Sequence, residues 1–285
     1  MPLQIDHVTI AGMELEPMRQ AFAEAGLATV YGGAHSGGVT HMALLGFDDG
    51  SYIELIAAAD PGDSGRSDLS GTRWAAQIAG NAGPAAWAAR TGDIAAESAR
   101  ILSLGVPVAG PIEMSRQRPD GALVEWELTF LGDQPAGAVL PFLIQDHTPR
   151  ERRVAPSPSV AGSELRGVTH VVLGVHRIEP AAALFQRVYG WPEPVMHQDG
   201  FDAHLAHFAG TPVMLAAPAG TESWLAERLE RFGELPCAFL LGSADIGASA
   251  QRLRLERAGE WFGRRVAWFD RTHLHGTRLG VIQVD

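Results

Sequence analysis

The sequence predicts an α+β protein built from four copies of one strand–helix–strand–strand–strand unit. The first observation is a repeated opening, because "DHVTIAG" at residues 6–12 and "THVVLGV" at residues 169–175 are both short β-branched runs with a histidine in second place. The second is that a stretch of helical length follows each opening, and further short strands follow that stretch. The third is a segment rich in proline, serine and charge near residues 147–167, which indicates a connection between two pairs of copies.

The first two copies fill the N-terminal half of the chain. The first copy has strands near residues 4–10, 27–31, 41–47 and 51–57, with a helix around residues 16–25 that ends before Gly26. The second opens at "AAWAARTGD" and continues through "PIEMSRQRPDG", "ALVEWELTFLGD" and "VLPFLIQDH". A connection at about residues 58–83 separates the two copies, and its length is typical of a functional lid or arm.

The last two copies follow the same order. The third opens with "THVVLGV", has a helix around residues 180–189 and ends with strands near "DAHLAHFAG" and "PVMLAA". The fourth begins at "PCAFLLGSAD" and ends with "RLGVIQVD". We therefore predict one domain at residues 1–147, a linker at residues 148–165 and a second, more divergent domain at residues 166–285.

Charge and composition exclude several classes of partner. The formal net charge of the 285 residues is −11, which argues against nucleic acid and anionic membranes because both require a basic surface. No apolar run reaches the roughly 18 residues of a membrane span, and the N-terminal stretch lacks the pattern of a signal peptide. There is one cysteine, Cys237. We expect a cytoplasmic protein that acts on a small molecule.

Glu54 is the residue that most needs an explanation. It lies in the apolar strand "YIELI", where a carboxylate is costly unless it is paired, hydrogen-bonded or bound to a metal ion. His7, in the opening strand of the same copy, and His41, on the strand expected to flank Glu54, are the candidate partners.

Several short motifs together resemble the glyoxalase-like domain family of the vicinal oxygen chelate superfamily. They are "IDHVTIAG", "GGAHSGGVTHMALLGF", "SYIELI", "WAARTGD", "RPDG" and "LPFLIQ", all within residues 4–146. The resemblance implies that paired βαβββ modules form half-open barrels around a metal ion. It also implies that ligands come from the first and last strands of a module, which here carry His7 and Glu54. Imidazole and carboxylate together suit zinc, iron, manganese or nickel.

The sequence leaves the third metal ligand open. If copy one pairs with copy two, the matching positions are Ala86 and Gln145, and alanine cannot bind a metal. If copy one pairs with copy three, they are His170 and Met214, and His170 completes a set of two histidines and one carboxylate. His41 is the third option. The metal ligands predicted here are His7, Glu54 and His170.

The remaining predicted site residues bind substrate or move protons. Glu54 and His41 are the predicted catalytic residues, since a carboxylate and an imidazole near a metal suit proton transfer. Guanidinium forks bind carboxylates, and an amide or a loop histidine can contact a ligand. The predicted substrate-binding residues are Arg90, Arg116, Arg118, His35 and Gln145.

The first functional hypothesis is a metal-dependent enzyme for a small, anionic, oxygen-bearing metabolite. The ion would chelate two vicinal oxygens and stabilise an enolate, as in an isomerase or lyase. One alternative is a non-haem iron extradiol-type dioxygenase. The resemblance to those enzymes is incomplete, since His170 matches but Gln283 stands in place of the expected glutamate.

The other alternative is a metal-free protein that binds and sequesters a small molecule. Aromatic side chains such as Tyr52, Trp126 and Phe142 would then matter more than His7. In a further hypothesis, the C-terminal half is structural and covers the first domain or forms a homodimer. Fold resemblance alone does not choose among these functions.

Overall fold

The structure is a computed structural model that describes residues 3–35, 38–59, 74–133, 137–197 and 201–285, with the side chain of Arg257 excepted. Two eight-stranded sheets with helices against them confirm the predicted α+β class of paired βαβββ modules. Residues 60–73 of the predicted lid or arm lie outside the described residues.

Copies one and two form the first sheet. Its strands are β1 (Gln4–Ala11), β2 (Val30–Ala34), β3 (Thr40–Gly46), β4 (Tyr52–Ala58), β5 (Gly83–Arg90), β6 (Val108–Gln117), β7 (Leu123–Leu131) and β8 (Phe142–Asp146). The helices of this half are α1 (Leu15–Glu24), α2 (Ala75–Ala79), α3 (Ile94–Ser103) and α4 (Arg150–Arg153).

Copies three and four form the second sheet. Its strands are β9 (Leu165–Gly174), β10 (Val195–His197), β11 (Ala203–His207), β12 (Val213–Pro218), β13 (Leu235–Ser243), β14 (Glu256–Trp261), β15 (Arg264–Trp268) and β16 (Leu279–Gln283). The helices of this half are α5 (Ile178–Tyr189), α6 (Trp224–Phe232) and α7 (Ile246–Leu253).

The strand order resolves which copies pair. The first sheet runs β2-β3-β4-β1-β5-β8-β7-β6, so copy one lies beside copy two, and the second sheet repeats this order with copies three and four. In each sheet the opening strands of the two copies pair antiparallel at the centre, as β1 with β5 and β9 with β13. Each opening strand also pairs parallel with the last strand of its own copy.

Two faces of the first sheet serve different purposes. On one face Val8 and Ile10 of β1 join the large apolar core with Phe22 of helix α1. On the other, concave face β1 carries His7 and Thr9, because side chains alternate along a strand. The helices that follow β5 and β13 both begin at an aspartate, Asp93 or Asp245, whose side chain accepts a backbone N–H of the first turn.

The segment predicted as a linker contains helix α4. Its arginines contact the N-terminal sheet, and Ser157 Oγ accepts from the backbone N–H of Gly46 at 3.0 Å. Only glycine fits at position 46, since an added Cβ would collide with the carbonyl oxygen of Ala155. The predicted boundaries at residues 147 and 166 stay a prediction. None of the helices in the described part of the chain is long and apolar enough to cross a membrane.

Candidate active site

A cavity of about 60 Å³ opens on the concave face of the N-terminal sheet. Its walls are apolar and largely aromatic, with Trp74, Trp126, Phe142, Leu128 and Ile144 among the side chains that line it. The polar side chains that reach it are His7, His35, Tyr52, Glu54, Arg116 and Arg153. An apolar pocket with a few convergent polar groups is the usual form of a small-molecule site.

Glu54 lies at the centre of the polar groups and is only 7% exposed. Thr9 Oγ1 donates to Glu54 Oε2 at 3.0 Å, and Nε2 of His35 lies 3.3 Å from Oε1. Burial alone raises the pKa of Glu54, but the hydrogen bond and charge of His35, the charge of His7 and the Thr9 hydrogen bond lower it to about 2. Glu54 is therefore a carboxylate at neutral pH.

His7 is oriented by a second buried carboxylate, on the side of its ring away from Glu54. Its Nδ1 lies 2.7 Å from Oδ1 of Asp6, the preceding residue, and its ring stacks on Tyr52 with the centroids 4.6 Å apart. Successive side chains of a regular strand point to opposite faces, but β1 has a bulge at Asp6, where the register with β5 shifts. The bulge brings the two side chains together. With Nδ1 donating to Asp6, the Nε2 lone pair of His7 faces the cavity, 4.0 Å from Glu54 Oε2.

Arginines compensate the charge of Asp6, which is fully buried. Arg153 donates to both of its oxygens, at 3.0 and 2.8 Å, and Arg150 donates to Oδ2 at 2.6 Å. Arg90 adds a longer contact at 3.4 Å. Burial raises the pKa of Asp6, but the charge of Arg153 and the hydrogen bond with His7 bring it well below its usual range. Asp6 therefore stays ionised and fixes the orientation of His7.

Arg116 is a buried cation at the cavity wall, 5% exposed. Its terminal amino groups donate to the backbone carbonyls of Gly32 and Arg153, and its Nε has no hydrogen-bond partner in the described part of the chain. Within the described residues no carboxylate lies at ion-pair distance from it. A buried guanidinium without an ion pair is costly, so an anionic ligand in the cavity would offset that cost.

The structure does not bring His41 to Glu54, the partner predicted for it. Glu54 lies opposite Leu44 in the β3–β4 register, and His41 is three residues from Leu44, so its side chain is on the other face of the sheet. There His41 lies edge-on to Tyr31, with ring centroids 6.0 Å apart. The histidine next to Glu54 is His35, which was predicted only as a substrate contact.

Three predicted substrate-binding residues have other partners. Arg90 contacts Asp6 and donates to the carbonyl of Gly50, and it is not part of the cavity wall. Arg118 is partly exposed and pairs with Asp120 at 3.0 Å. The side-chain oxygen of Gln145 accepts from the backbone N–H at the start of helix α3, at 2.7 Å. Gln145 therefore caps a helix on the face opposite the cavity.

His170 lies in the other sheet, away from Glu54. Its Nδ1 is 3.1 Å from Thr169 Oγ1, and its ring meets that of His207 edge-on at 5.4 Å. Burial, followed by the charges of His207 and Arg264, lowers its pKa to about 3. The concave face of this sheet packs around aromatic side chains that include Phe201, Trp261 and Trp268.

The described residues do not form a complete metal site. His7 and Glu54 have the donor types that first-row divalent ions prefer, but His7 and His35 approach different oxygens of the carboxylate. The first and last strands of copy two, β5 and β8, place alanines, Phe142 and Ile144 on this face, and none of these side chains binds a metal. No group of three or more His, Cys, Asp or Glu side chains in the described residues could hold an ion.

Sequence reasoning missed Asp6 and Arg153. The signal for Asp6 was present, because it is a carboxylate within the apolar strand "QIDHVTI", the same argument that singled out Glu54. Nothing in the local sequence marks Arg153, which lies in the predicted linker and meets Asp6 only in the folded protein.

The family of the chain is shown by its sequence. The profile of the glyoxalase-like domain family matches residues 5–189, so the chain belongs to this family. With its two sheets of paired βαβββ modules, it is a member of the vicinal oxygen chelate superfamily. No curated protein matches the chain at a significant level.

Two solved structures share the whole fold at low sequence identity, and a third matches part of the chain. A hypothetical protein from Staphylococcus aureus is 16% identical with a TM-score of 0.63, and the match covers 99% of this chain and 100% of that one. A triple variant of 4-hydroxymandelate synthase from Streptomyces coelicolor is 12% identical with a TM-score of 0.65, covering 99% and 92%. A methylmalonyl-CoA epimerase from the same organism, solved with 2-nitronate-propionyl-CoA, matches 42% of this chain and 97% of its own, at 18% identity and a TM-score of 0.36. At 16% and 12% identity, the likeness to the first two structures shows the fold alone.

Proposed function

We propose that the chain is an enzyme that moves a proton on a small, anionic, oxygen-bearing metabolite, as an isomerase or a lyase does. The observation that carries the proposal is the placement of His7. Its Nδ1 is tied to the buried Asp6, so its Nε2 faces Glu54 across an aromatic-walled cavity at 4.0 Å. An imidazole oriented by a carboxylate is a general base that many enzymes use.

His7 suits the role of base better than Glu54 does. A carboxylate whose pKa is about 2 has little affinity for a proton at neutral pH. The same negative charge stabilises an imidazolium beside it, so Glu54 and Asp6 would share the charge of His7 after proton transfer. Glu54 thus keeps a catalytic role, as an electrostatic partner rather than as the proton acceptor.

Arg116 supplies the matching positive charge for the substrate. Its guanidinium lines the same cavity and contacts only backbone carbonyls among the described residues. A carboxylate of the substrate, or the oxygen of an enolate as it forms, would occupy this position. The position and charge of Arg116 therefore support an anionic substrate.

The step balances without a further reactant. The Nε2 lone pair of His7 takes a proton from a carbon next to a carbonyl group, and the C–H electrons form a carbon–carbon double bond. The carbonyl electrons move to the oxygen beside Arg116. Return of the proton to a different position completes an isomerisation, and loss of a leaving group completes an elimination. The apolar walls exclude water from the enolate.

The divalent metal ion implied by the family resemblance stays a prediction. It gains support from two acceptors, His7 Nε2 and Glu54 Oε2, that face each other at 4.0 Å. The described residues supply no complete ligand set for such an ion. Ring cleavage at the C-terminal half has less support, since Gln283 accepts from Arg265 at 2.8 Å and His170 lies beside another histidine.

Proton exchange in heavy water tests the proposal without knowledge of the product. The protein is incubated with a panel of small 2-oxo and 2-hydroxy acids in D₂O. NMR follows the loss of the signal from the proton on the carbon next to the carbonyl or carboxyl group. We expect exchange for at least one acid, and His7→Asn to slow it by about a hundredfold or more. His41→Gln is the matched control, because it removes an imidazole from the opposite face.

Two results would contradict parts of the proposal, and a third measurement tests the metal. Equal loss in His7→Asn and His41→Gln would remove the role given to His7. An acid that binds tightly but never exchanges would favour the sequestering protein. Plasma mass spectrometry on tag-free protein addresses the metal, since a stoichiometric ion lost in both His7→Asn and Glu54→Gln would make the reaction metal-dependent.

A further inference from the structure

A second cavity, of about 410 Å³, lies where the two halves of the protein meet. The segment that leads into β5 of the N-terminal sheet forms one wall, including Ala82 and Pro84. Helix α6 and the connection between β15 and β16 form the others. This cavity shares no lining residue with the candidate active site.

The cavity is strongly cationic in a chain whose net charge is −11. Four arginines line it, together with His275, whereas Glu227 is the one acidic residue among its described lining residues. The arginines are Arg228, Arg231, Arg271 and Arg278. So many guanidinium groups repel one another unless an anion lies between them.

Arg228 lies deepest and joins the two halves. It donates to the carbonyl of Ala82 at 2.6 Å, to that of Pro84, and to that of Pro236 at 2.8 Å. Its Nε is buried and has no hydrogen-bond partner among the residues that the structure describes. Burial lowers the pKa of Arg228 to about 10, so the group is still charged at neutral pH.

The neighbouring arginines are held by carbonyls and rings. Arg231 donates to the carbonyl of Gly80 at 2.8 Å and lies 4.8 Å from the ring centroid of Phe232. The guanidinium of Arg278 lies 3.5 Å above the ring of Trp224. These contacts orient the flat faces of the guanidinium groups and leave them their charge.

Three of these arginines have no carboxylate partner among the described residues. Within the described residues no Asp or Glu oxygen lies at ion-pair distance from Arg228, Arg231 or Arg271. Backbone carbonyls offer only partial negative charge, so the cavity keeps a net positive charge. A small anion with several oxygens would neutralise it and accept hydrogen bonds from the arginines.

We propose that this interdomain cavity binds a small oxyanion with two or more negative charges, of the phosphoryl or polycarboxylate class. The ligand would pair with the exposed Arg231 and Arg271, and the positive charge of the more buried Arg228 would also attract it.

Isothermal titration calorimetry with pyrophosphate tests the proposal on the full chain, at an ionic strength matched with sodium chloride. We expect saturable binding that Arg231→Gln and Arg271→Gln each weaken by about tenfold or more, since each removes a charge-assisted contact. Arg187→Gln, at an exposed position of α5, removes the same charge elsewhere and should leave binding unchanged. A titration with citrate distinguishes the phosphoryl from the carboxylate source.

The outcomes separate cleanly. Binding of either anion with the expected dependence on Arg231 and Arg271 supports the site and identifies its chemical class. Absence of binding at millimolar anion, or equal weakening by Arg187→Gln, overturns it. Both test positions are exposed, and a circular dichroism melt on each variant distinguishes lost binding from lost fold. The result is independent of the reaction proposed at His7.

Discussion

Arg153 donates to both carboxylate oxygens of Asp6, at 3.0 and 2.8 Å, across a separation of 147 residues. The carboxylate is fully buried and the guanidinium is 4% exposed. This pair joins helix α4 to strand β1 of the N-terminal sheet and fixes Asp6, the residue that orients His7. Stability and the geometry of the candidate active site therefore depend on one interaction.

Removal of Arg153 should destabilise the protein strongly. Arg153→Met leaves Asp6 buried with Arg150 and Arg90 as its remaining cations, so we expect the free energy of unfolding to fall by about 3–5 kcal/mol. Urea denaturation followed by circular dichroism measures the change. Arg118→Met is the control, since Arg118 is partly exposed and should cost less than about 1 kcal/mol. Similar losses in both variants would contradict the role of the pair.

Asp6→Asn should leave His7 in place but remove the carboxylate that fixes its ring tautomer. An amide at this position no longer fixes Nδ1 of His7 as the protonated nitrogen, so both ring tautomers become accessible. We expect nitrogen NMR to show a tautomer mixture at His7, and proton exchange to fall by about a hundredfold with little change in substrate affinity. A single tautomer in the variant would show that Tyr52 and the cavity walls position the ring instead.

The carboxyl pKa of Glu54 should respond to His35 and not to His41. His35 contributes a hydrogen bond and charge to the low pKa of about 2, so His35→Gln is expected to raise that pKa towards the usual range. Carbon NMR of labelled glutamate measures it directly. His41→Gln serves as the control because it lies on the opposite face. A rise of equal size in the two variants would contradict the geometry.

Part of the site could be predicted because it depends on strand position alone. His7 and Glu54 lie in neighbouring parallel strands, with His7 opposite Tyr52 and Thr9 opposite Glu54. The sequence of elements within one copy follows from the repeat, and the cost of a buried carboxylate marks Glu54. Those arguments need no knowledge of side-chain contacts.

Positions that depend on exact register were predicted less well. Gln145 is one residue from Ile144, which faces the cavity, and a shift of one residue moves a side chain to the other face. His41 is three residues from Leu44, an odd number, so its side chain also lies on the other face of the sheet. Asp6 depends on a β-bulge, which changes side-chain direction locally and has no signature in this strand.

Burial of His170 should make stability depend on pH. Its pKa is lowered to about 3, so the folded protein keeps it neutral while the unfolded chain takes up a proton below about 6.5. Stability is therefore lost as the pH falls from about 6.5 to 3, by as much as about 1.4 kcal/mol per pH unit. We expect His170→Asn to reduce this slope in urea titrations between pH 7 and 4. An unchanged slope would assign the effect to other groups, such as His207.

Helix α4 also sets a limit on where this protein can be divided. A fragment that ended at residue 147 would contain every strand of the N-terminal sheet but would lack Arg150 and Arg153. Its buried Asp6 would then have lost the two cations that lie nearest to it. The family match, which continues to residue 189, includes both arginines. An exchange of this half between proteins would therefore keep both cations of Asp6 only when the break falls after Arg153.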